Sequence, residues 1–252
     1  MAGAGPHFNR HCFFTPDSAD ARAAIGVSAC LLGQPVRYDG GAKYLAATAT
    51  LREALELLPI CPEVGAGLSV PRPPVQLVAG RDGEVRARGR DDSTLDVTEP
   101  LQRFAAVALA EARTRRLCGY LWKSRSPSCG MGSTPLFAAS GAETGRGSGI
   151  QAAHFLHELP WLACCEETDL HDETAITSFI LRCRLMFDLT RSAQTPLRAL
   201  HEHYGFLREH FDAATGAALA TAVDDLAEED YLTAFQRGCS QVSGEELLNL
   251  FY

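Results

Sequence analysis

The stretch AAIGVSAC, residues 23–30, is a short apolar run that contains β-branched residues and ends in a cysteine. A run of this kind predicts a buried strand of a parallel sheet. The segment KYLAATATLREALELL (43–58) has leucines at roughly helical spacing and predicts a helix, and PICPE (59–63) predicts a second short strand ending in a turn. Strand, helix and strand in this order favour an α/β fold with parallel strands.

The same alternation continues through the middle of the chain. Two short runs, VQLVAG and EVRARG, surround Arg81-Asp82-Gly83 and predict a hairpin. Residues 98–116 have the clearest helical pattern, with Thr98 as the predicted N-cap and arginines in the last turn. The strands and helices therefore keep alternating beyond the first unit.

Two further strands are predicted around a Gly- and Ser-rich stretch at residues 140–149. LCGYLWK (117–123) precedes this stretch, and WLACC (161–165) follows it after a short predicted helix. We therefore expect residues 23–170 to form an α/β domain, with a mostly parallel sheet and helices on both faces (Rossmann-like).

The two ends of the chain differ from this middle part. Residues 1–22 show no periodicity, which predicts a mobile or loosely docked extension. Residues 171–252 are almost wholly helical in pattern, and residues 190–252 contain ten acidic residues against four arginines. We expect this part to form a small, acidic, all-helical second domain.

Composition limits the classes of protein that are compatible with this sequence. The formal net charge of the 252-residue chain is -8, which argues against a generally basic nucleic-acid binder. No apolar run approaches the length of a membrane span, and the start of the chain lacks a basic region followed by an apolar one. We expect a soluble, cytoplasmic protein without a membrane partner.

The chain contains nine cysteines, an odd number that does not suggest a disulfide framework in a chain of this length. Three of them, Cys30, Cys61 and Cys129, follow predicted strands, and ligands bind outside the carboxyl ends of strands in open parallel sheets. Three converging thiolates suit a soft metal or an iron–sulfur cluster with one position left open. Independent burial of each cysteine is the alternative, since free cysteine is also a common core residue.

Polar residues flank these cysteines. Arg37, Tyr38 and Asp39 lie in the Gly-rich loop GQPVRYDGGAKY (33–44) and could bind a planar polar ligand, or they could form a solvated turn. Glu63 stands two residues after Cys61, where it is either a site carboxylate or an exposed loop residue.

The third cysteine lies in KSRSPSCGMG (123–132), where a proline and two glycines bend the chain around it. Lys123 and Arg125 could add positive potential at this position, or they could be ordinary surface charges at a strand end. The hydroxyl groups of Ser126 and Ser128 flank the cysteine. This composition indicates a cysteine that is presented to a ligand.

Four separated motifs, VSACLLGQPVRYDGGAKY, CPEVGAGLSVPRPP, GRDDSTLDVTE and KSRSPSCG, closely resemble the bacterial thiouracil desulfidase family. The resemblance covers roughly residues 24–168. It implies a [4Fe–4S] cluster held by Cys30, Cys61 and Cys129, with one open iron that captures the sulfur of a thiolated pyrimidine. Water then replaces this sulfur, which gives uracil or uridine and hydrosulfide without net redox change.

The resemblance also implies roles for neighbouring side chains. Glu63 matches the family's CPE glutamate and is the candidate to activate water or to move a proton. A serine before the third cysteine belongs to the same site, with Ser126 as the first choice and Ser128 as the second.

Some members of this family carry a helical domain and are associated with 4-thiouridine in tRNA. The segment PLRALHEHYGFLREH (196–210) weakly resembles part of that domain, with His203 and His210 on one predicted helical face. The acidic excess of this region argues against contacts with tRNA phosphates.

Three hypotheses therefore remain. The favoured one is a desulfidase that acts on a free thiolated base or nucleoside. The second is the same chemistry on 4-thiouridine in tRNA. The third is a non-enzymatic iron–sulfur or zinc sensor with four cysteine ligands, for which Cys118 is the obvious fourth.

Overall fold

The computed structural model of the chain describes residues 6–20, 22–80, 83–191, 196–225 and 227–252. The strands within these residues are β1 (Ala23–Ser28), β2 (Leu55–Ile60), β3 (Val75–Ala79), β4 (Val85–Gly89), β5 (Gly119–Trp122), β6 (Thr134–Phe137), β7 (Glu143–Gly147) and β8 (Ala163–Glu166). The α-helices are α1 (Thr48–Ala54), α2 (Pro62–Gly65), α3 (Thr98–Thr114), α4 (Ile150–Glu158), α5 (Glu173–Arg191), α6 (Leu197–His203), α7 (Gly205–Arg208), α8 (Ala213–Asp224), α9 (Glu228–Gln241) and α10 (Gly244–Asn249). Short 3₁₀ helices cover Arg10–Cys12, Pro16–Ala19, Ala29–Leu32 and Glu167–Asp169.

The first sheet has the strand order β2-β1-β5-β8, and all of its pairs are parallel. The apolar run at residues 23–30 contains β1, which lies inside the sheet between β2 and β5. Ser28 at the end of β1 is in register with Ile60 at the end of β2. The segments that follow these strands therefore leave the sheet at the same edge.

Helices cover both faces of this sheet because successive side chains of a strand point to opposite faces. On one face, Ile25 and Val27 of β1 join a core that includes Phe179 of α5, and α1 packs on the same side. On the other face, Tyr120 of β5 packs with Phe155 of α4, and α3 lies beside α4. The predicted fold class, a mostly parallel sheet with helices on both faces, is confirmed.

The second sheet has the order β4-β3-β6-β7, in which β3 pairs with β4 and β6 with β7 in antiparallel fashion. The predicted β3–β4 hairpin is confirmed, while Arg81 and Asp82 of its turn lie outside the described residues. Sequence patterns did not predict β6 and β7. The first contains Pro135, and the second is exposed and Gly-rich (ETGRG), so neither has the composition typical of a strand.

Two predicted helix boundaries are wrong. The helix expected over residues 43–58 covers Thr48–Ala54 alone, because Leu55 and Leu57, which follow it, are buried in β2. Thr98 is the first residue of α3 and not its N-cap. Val97 occupies the N-cap position without a side-chain cap bond, and the Thr98 amide donates to Asp96 Oδ1 at 3.0 Å. The Thr98 Oγ1 accepts the Ala87 amide at 2.8 Å.

The N-terminal segment is packed over residues 6–20, so the expectation of a loosely docked extension is wrong there. Phe8 and Phe13 are buried in the main core. The amides of Phe14 and Thr15 donate to the two carboxylate oxygens of Asp188 in α5, at 3.0 and 2.9 Å. These contacts require tertiary partners far along the chain, which local periodicity does not report.

The region after residue 171 is helical as predicted, and its core is continuous with the core under the first sheet. The expectation that this helical region is a separate second domain stays a prediction. His203 ends α6, whereas His210 lies beyond α7, so the expectation that they share one helical face is wrong. His203 lies 3.2 Å from the Cys12 carbonyl oxygen, and His210 lies 2.7 Å from the Glu246 carboxylate.

None of the helices in the described residues combines the length and the apolar composition that crossing a lipid bilayer requires.

Asp188 is completely buried and binds the Phe14 and Thr15 amides as well as the Tyr204 hydroxyl. We expect Asp188→Ala to lower the free energy of unfolding by about 3 kcal/mol, because it removes the buried charged acceptor that these donors share. Denaturant unfolding of the purified protein measures this loss.

A carboxylate in an exposed ion pair provides the control. Asp224→Ala removes the partner of Arg198, and both side chains are mostly solvent-accessible. Asp224→Ala should change the free energy of unfolding by no more than about 0.5 kcal/mol. Equal losses in the two variants would contradict the anchoring role of Asp188.

Candidate functional site

Three cysteines meet at the carboxyl edge of the first sheet, as the sequence predicted. Cys30 lies in the 3₁₀ turn directly after β1, and Cys61 is the residue between β2 and α2. Cys129 lies in the loop between β5 and β6. All three line one cavity of about 520 Å³.

The three thiols affect one another electrostatically. Burial, followed by the proximity of Cys61, raises the pKa of Cys30 to about 11. Burial likewise raises the pKa of Cys129, and Cys30 and Cys61 add to this effect. For Cys61, burial raises the pKa of the thiol although the amides of α2 oppose the rise. The thiols therefore share one poorly solvated region and stay protonated at neutral pH in the absence of a metal.

Three cysteine thiols are a donor set that suits a soft metal or an iron–sulfur cluster. Within the residues that the structure describes, no three His, Cys, Asp or Glu side chains are close enough to hold one metal ion.

The start of α4 holds the loop that carries Cys129. The amides of Gly149, Ile150 and Gln151 donate to the carbonyls of residues 130, 127 and 128 at 2.8 to 3.0 Å. A Cβ on Gly149 would lie 2.5 Å from the Ser128 carbonyl carbon, so this close approach requires glycine. The loop is thus fixed by backbone contacts with the first residues of α4.

The two serines before Cys129 have different partners. Ser126 lines the cavity, and its Oγ accepts the amides of Cys129 and Ser128 at 3.1 and 3.3 Å. Ser128 is fully buried, and its Oγ donates to Glu63 Oε1 at 3.1 Å. Of the two serines, Ser126 is therefore the one that lines the cavity.

Glu63 lines the same cavity, and both of its oxygens are engaged. Arg72 Nε donates to Oε2 at 2.7 Å, and the Ser128 hydroxyl binds Oε1. The side chains of Arg72 and Glu63 are only 5% and 13% exposed, so this is a buried ion pair. Sequence reasoning assigned no role to Arg72, although it lies in the quoted motif CPEVGAGLSVPRPP.

The residues suggested for substrate binding divide into two groups. Arg37 and Tyr38 line the cavity, and the Arg37 guanidinium lies 5.5 Å from the centre of the Tyr38 ring. Asp39 does not line it. Its carboxylate accepts the Gly41 amide, which lowers its pKa, and it lies 3.5 Å from Arg37 Nε. Asp39 is thus in a position to orient Arg37.

The described residues that line the cavity include more cations than carboxylates. Glu63 is the one carboxylate among them, and the cations are Arg37, Lys43, Arg72, Arg90, Lys123 and Arg125. Four of these cations are paired with carboxylates, Arg37 with Asp39, Arg72 with Glu63, Arg90 with Asp91 and Lys123 with Glu167, which reduces the net positive charge. The whole chain has a net charge of -8, so this excess is local. Such a cavity favours anionic groups, whether thiolates, a cluster or a phosphate.

Two glutamates at the end of β8, which sequence reasoning missed, anchor the same loop. Glu167 accepts from Lys123 Nζ and from the Ser124 amide, each at 2.5 Å. Glu166 accepts the Met131 amide at 2.5 Å and the Ser133 hydroxyl at 2.6 Å. The sequence feature that could have indicated them is the pair of adjacent glutamates in ACCEETD (163–169), directly after a predicted strand.

Cys118 is not in a position to be a fourth ligand. It precedes β5 at the opposite end from the cavity, and its thiol donates to the Ala24 carbonyl at 3.3 Å. Cys118, Cys165 and Cys183 are buried, as predicted for packing cysteines, while Cys164 is half-buried.

The fold and the site together define an α/β protein with a thiol-lined ligand cavity at the carboxyl edge of a parallel sheet. The family model described as 2-thiouracil desulfurase matches residues 25–167, which is more than half of the chain. The protein therefore belongs to the 2-thiouracil desulfurase family, and the resemblance seen in its motifs is confirmed.

Two relatives match over most of their own lengths. Uncharacterized protein YbbK of Bacillus subtilis (strain 168) is 34% identical over 135 residues, which cover 51% of this chain and 87% of YbbK. A solved structure of the [4Fe-4S]-dependent thiouracil desulfidase TudS is 35% identical, with a TM-score of 0.48, and the match covers 59% of this chain and 93% of TudS.

Glu167 provides a test of the loop anchor through its dependence on pH. Although burial acts in the other direction, hydrogen bonds from Lys123 and Ser124 lower the pKa of Glu167 below its usual 4.5. The carboxylate therefore stabilises the fold above about pH 4.5, and this contribution is lost as the pH falls through the lowered pKa. We expect Glu167→Gln to cost about 1–2 kcal/mol at pH 7.

Denaturant unfolding of both proteins between pH 7 and pH 3 measures this difference. The gap between wild type and Glu167→Gln should close below pH 4.5. A gap that persists unchanged at the acid end would show that the charge of Glu167 does not anchor the loop.

Proposed function

We propose that this protein removes the sulfur atom from a thiolated pyrimidine, thiouracil or thiouridine, and releases uracil or uridine and hydrosulfide. The observation that carries the proposal is that three cysteines and the Glu63 carboxylate line one cavity, in a member of the 2-thiouracil desulfurase family. Water supplies the oxygen, the carbon–sulfur bond breaks, and sulfur leaves with its electron pair. No oxidant or reductant is needed.

Cys30, Cys61 and Cys129 would hold a [4Fe–4S] cluster as thiolates. When bound, the cluster would supply an iron position open to a soft sulfur atom, which makes the ring carbon more electrophilic. The cationic residues of the cavity offset the negative charge that three thiolates bring into a buried region. The first sheet fixes the chain segments that bear these cysteines.

Glu63 is the group in the cavity wall that would accept the proton from the attacking water. Its ion pair with Arg72 holds the carboxylate in place, and each of its oxygens keeps a lone pair beyond the contacts described above. Ser126 would face the pyrimidine, because its oxygen accepts two amides and its hydroxyl hydrogen remains available. Ser128 would act on Glu63 and not on the substrate.

Arg37 and Tyr38 would contact the pyrimidine or its sugar, with Asp39 orienting Arg37. The positive walls also suit the phosphate of a thiouridine nucleotide. The acidic helical region offers no comparable excess of cations, which favours a small substrate over tRNA.

Sulfide release tests the activity directly. Anaerobically purified and cluster-reconstituted protein should release sulfide and uracil from 4-thiouracil, and Cys129→Ala should lose this activity together with much of its iron. Cys12→Ala is the matched control, since this half-buried thiol contacts the Leu250 carbonyl and does not line the cavity. It should retain wild-type iron content and rate.

The substrate is identified by comparing 2-thiouracil, 4-thiouracil, 4-thiouridine, its 5′-phosphate and tRNA that contains 4-thiouridine. A faster reaction of the phosphate would support a nucleotide substrate. Turnover of tRNA alone, lost at high salt, would favour the second hypothesis. A fully loaded protein that is inactive on every substrate would reject the proposal in favour of a sensor.

The roles of the acidic and hydroxyl side chains are separable. Glu63→Gln should lower kcat by about a hundredfold or more with unchanged iron content, because it removes the proton acceptor. Ser126→Ala should lower kcat/KM by about tenfold through the loss of one hydrogen bond to the substrate. Steady-state kinetics with iron determination on each variant measures both effects.

Ser133→Ala is the control for these variants. Ser133 belongs to the same loop and accepts the Arg125 amide at 2.7 Å, but it does not line the cavity. The Ser133→Ala variant should have a lower free energy of unfolding and a kcat within about twofold of wild type. A comparable fall in kcat/KM for Ser133→Ala would mean that a disturbed loop, and not the loss of the Ser126 hydroxyl, lowers the rate.

A further inference from the structure

Arg72 is a buried cation in the cavity wall with an unusual number of directed contacts. Its Nε donates to Glu63 Oε2 at 2.7 Å, its Nη2 to the Val36 carbonyl at 2.9 Å, and its Nη1 to the Ser69 carbonyl at 3.1 Å. Because the guanidinium is planar and rigid, these contacts fix its plane. Arg72 therefore has one orientation, which is set by Glu63, Val36 and Ser69.

The contacts of Arg72 tie down the loop that follows Cys30. The Arg72 amide donates to the Tyr38 carbonyl at 2.9 Å, in addition to the side-chain bond to Val36. The Val36 carbonyl also accepts the Cys61 thiol at 3.9 Å. The side chain and the amide of Arg72 thus bind the two ends of the Val36–Tyr38 segment. The Val36 carbonyl connects this segment to Cys61.

Ser128 extends these contacts to the third cysteine. Its hydroxyl donates to the Glu63 oxygen that Arg72 does not bind, at 3.1 Å, and Cys129 is the next residue. The line of contacts from Val36 through Arg72, Glu63 and Ser128 therefore touches the segments that carry all three cysteines. Arg72 is the member of this line that binds both the ligand loop and the carboxylate.

We propose that Arg72 is a positioning residue for desulfidation, which aims the Glu63 carboxylate into the cavity and fixes the loop bearing Arg37 and Tyr38. This role rests on the proposed function. Its loss leaves a buried carboxylate without a counter-charge and frees the loop, so both the orientation of Glu63 and the binding of substrate suffer. Arg72 itself acts through Glu63 and needs no contact with the reacting atoms.

A kinetic double-mutant cycle tests the coupling. Arg72→Met and Glu63→Gln should each lower kcat on 4-thiouracil, the first by about tenfold to a hundredfold. The kcat of the double variant should be no lower than that of Glu63→Gln, because the effect of Arg72 on kcat acts through Glu63, whereas its effect on the Val36–Tyr38 loop appears in KM. Losses in kcat that multiply in the double variant would overturn the role of Arg72.

The conservative variant separates charge from geometry. Arg72→Lys keeps a cation but cannot reach Glu63, Val36 and Ser69 in one plane. It should recover part of kcat relative to Arg72→Met while KM remains raised, since the Val36–Tyr38 loop stays loose. A variant that only damaged folding would not give this division between kcat and KM.

Thermal unfolding of the cluster-free protein gives a readout that is independent of activity. Arg72→Met should lower the Tm clearly in the wild-type background and much less in Glu63→Gln, where no buried carboxylate is left unpaired. Arg86→Met is the matched control, because Arg86 pairs with Glu84 and Asp96 on an exposed surface and does not line the cavity. It should leave Tm, kcat and KM near wild type.

The possible failures are distinguishable. An iron-loaded wild-type protein that releases no sulfide from any thiolated pyrimidine would reject the proposed function, and the catalytic part of this inference with it. An active wild type in which the two substitutions act independently, in kcat and in Tm, would reject the role of Arg72 alone.

Discussion

Parallel pairing of β1 with a neighbour on each side is the constraint on which the site depends. β1 pairs with β2 through Ser28 and Ile60, and with β5 through Val27 and Leu121. Since all three strands run in the same direction, the chain leaves each of them at one edge of the sheet. Three cysteines that are distant in sequence share a cavity for this reason and need no local motif that joins them.

A loop that is buried at such an edge needs partners for its backbone groups. The loop around Cys129 obtains them from two elements that come later in the chain. The first amides of α4 bind its carbonyls, and Glu166 and Glu167 at the end of β8 bind its amides. β8 pairs with β5 in register, which brings these carboxylates to the loop that begins where β5 ends. The same sheet therefore positions the third cysteine and the groups that hold its loop.

Sequence patterns predicted the features that depend on residues close together in the chain. β1, α3, the β3–β4 hairpin and the strand-end cysteines have signals within a few residues, and these predictions held. The packing of the N-terminal segment against α5 depends on partners such as Asp188, far along the chain. Arg72 was missed for the same reason, because its contacts with Glu63 and Val36 bridge 9 and 36 residues and follow only from the folded loops.

Burial and positive charge act in opposite directions on the thiols of the cavity. Burial raises the pKa of Cys30, and Cys61 adds to the rise, whereas Lys123 and Arg37 lower it. Metal ligation requires deprotonated sulfur, so it must overcome the effect of burial and release the protons. Lys123 and Arg37 would ease this step at Cys30 by stabilising its thiolate. They can also attract an anionic substrate, so one set of charges would serve both the assembly of the site and its use.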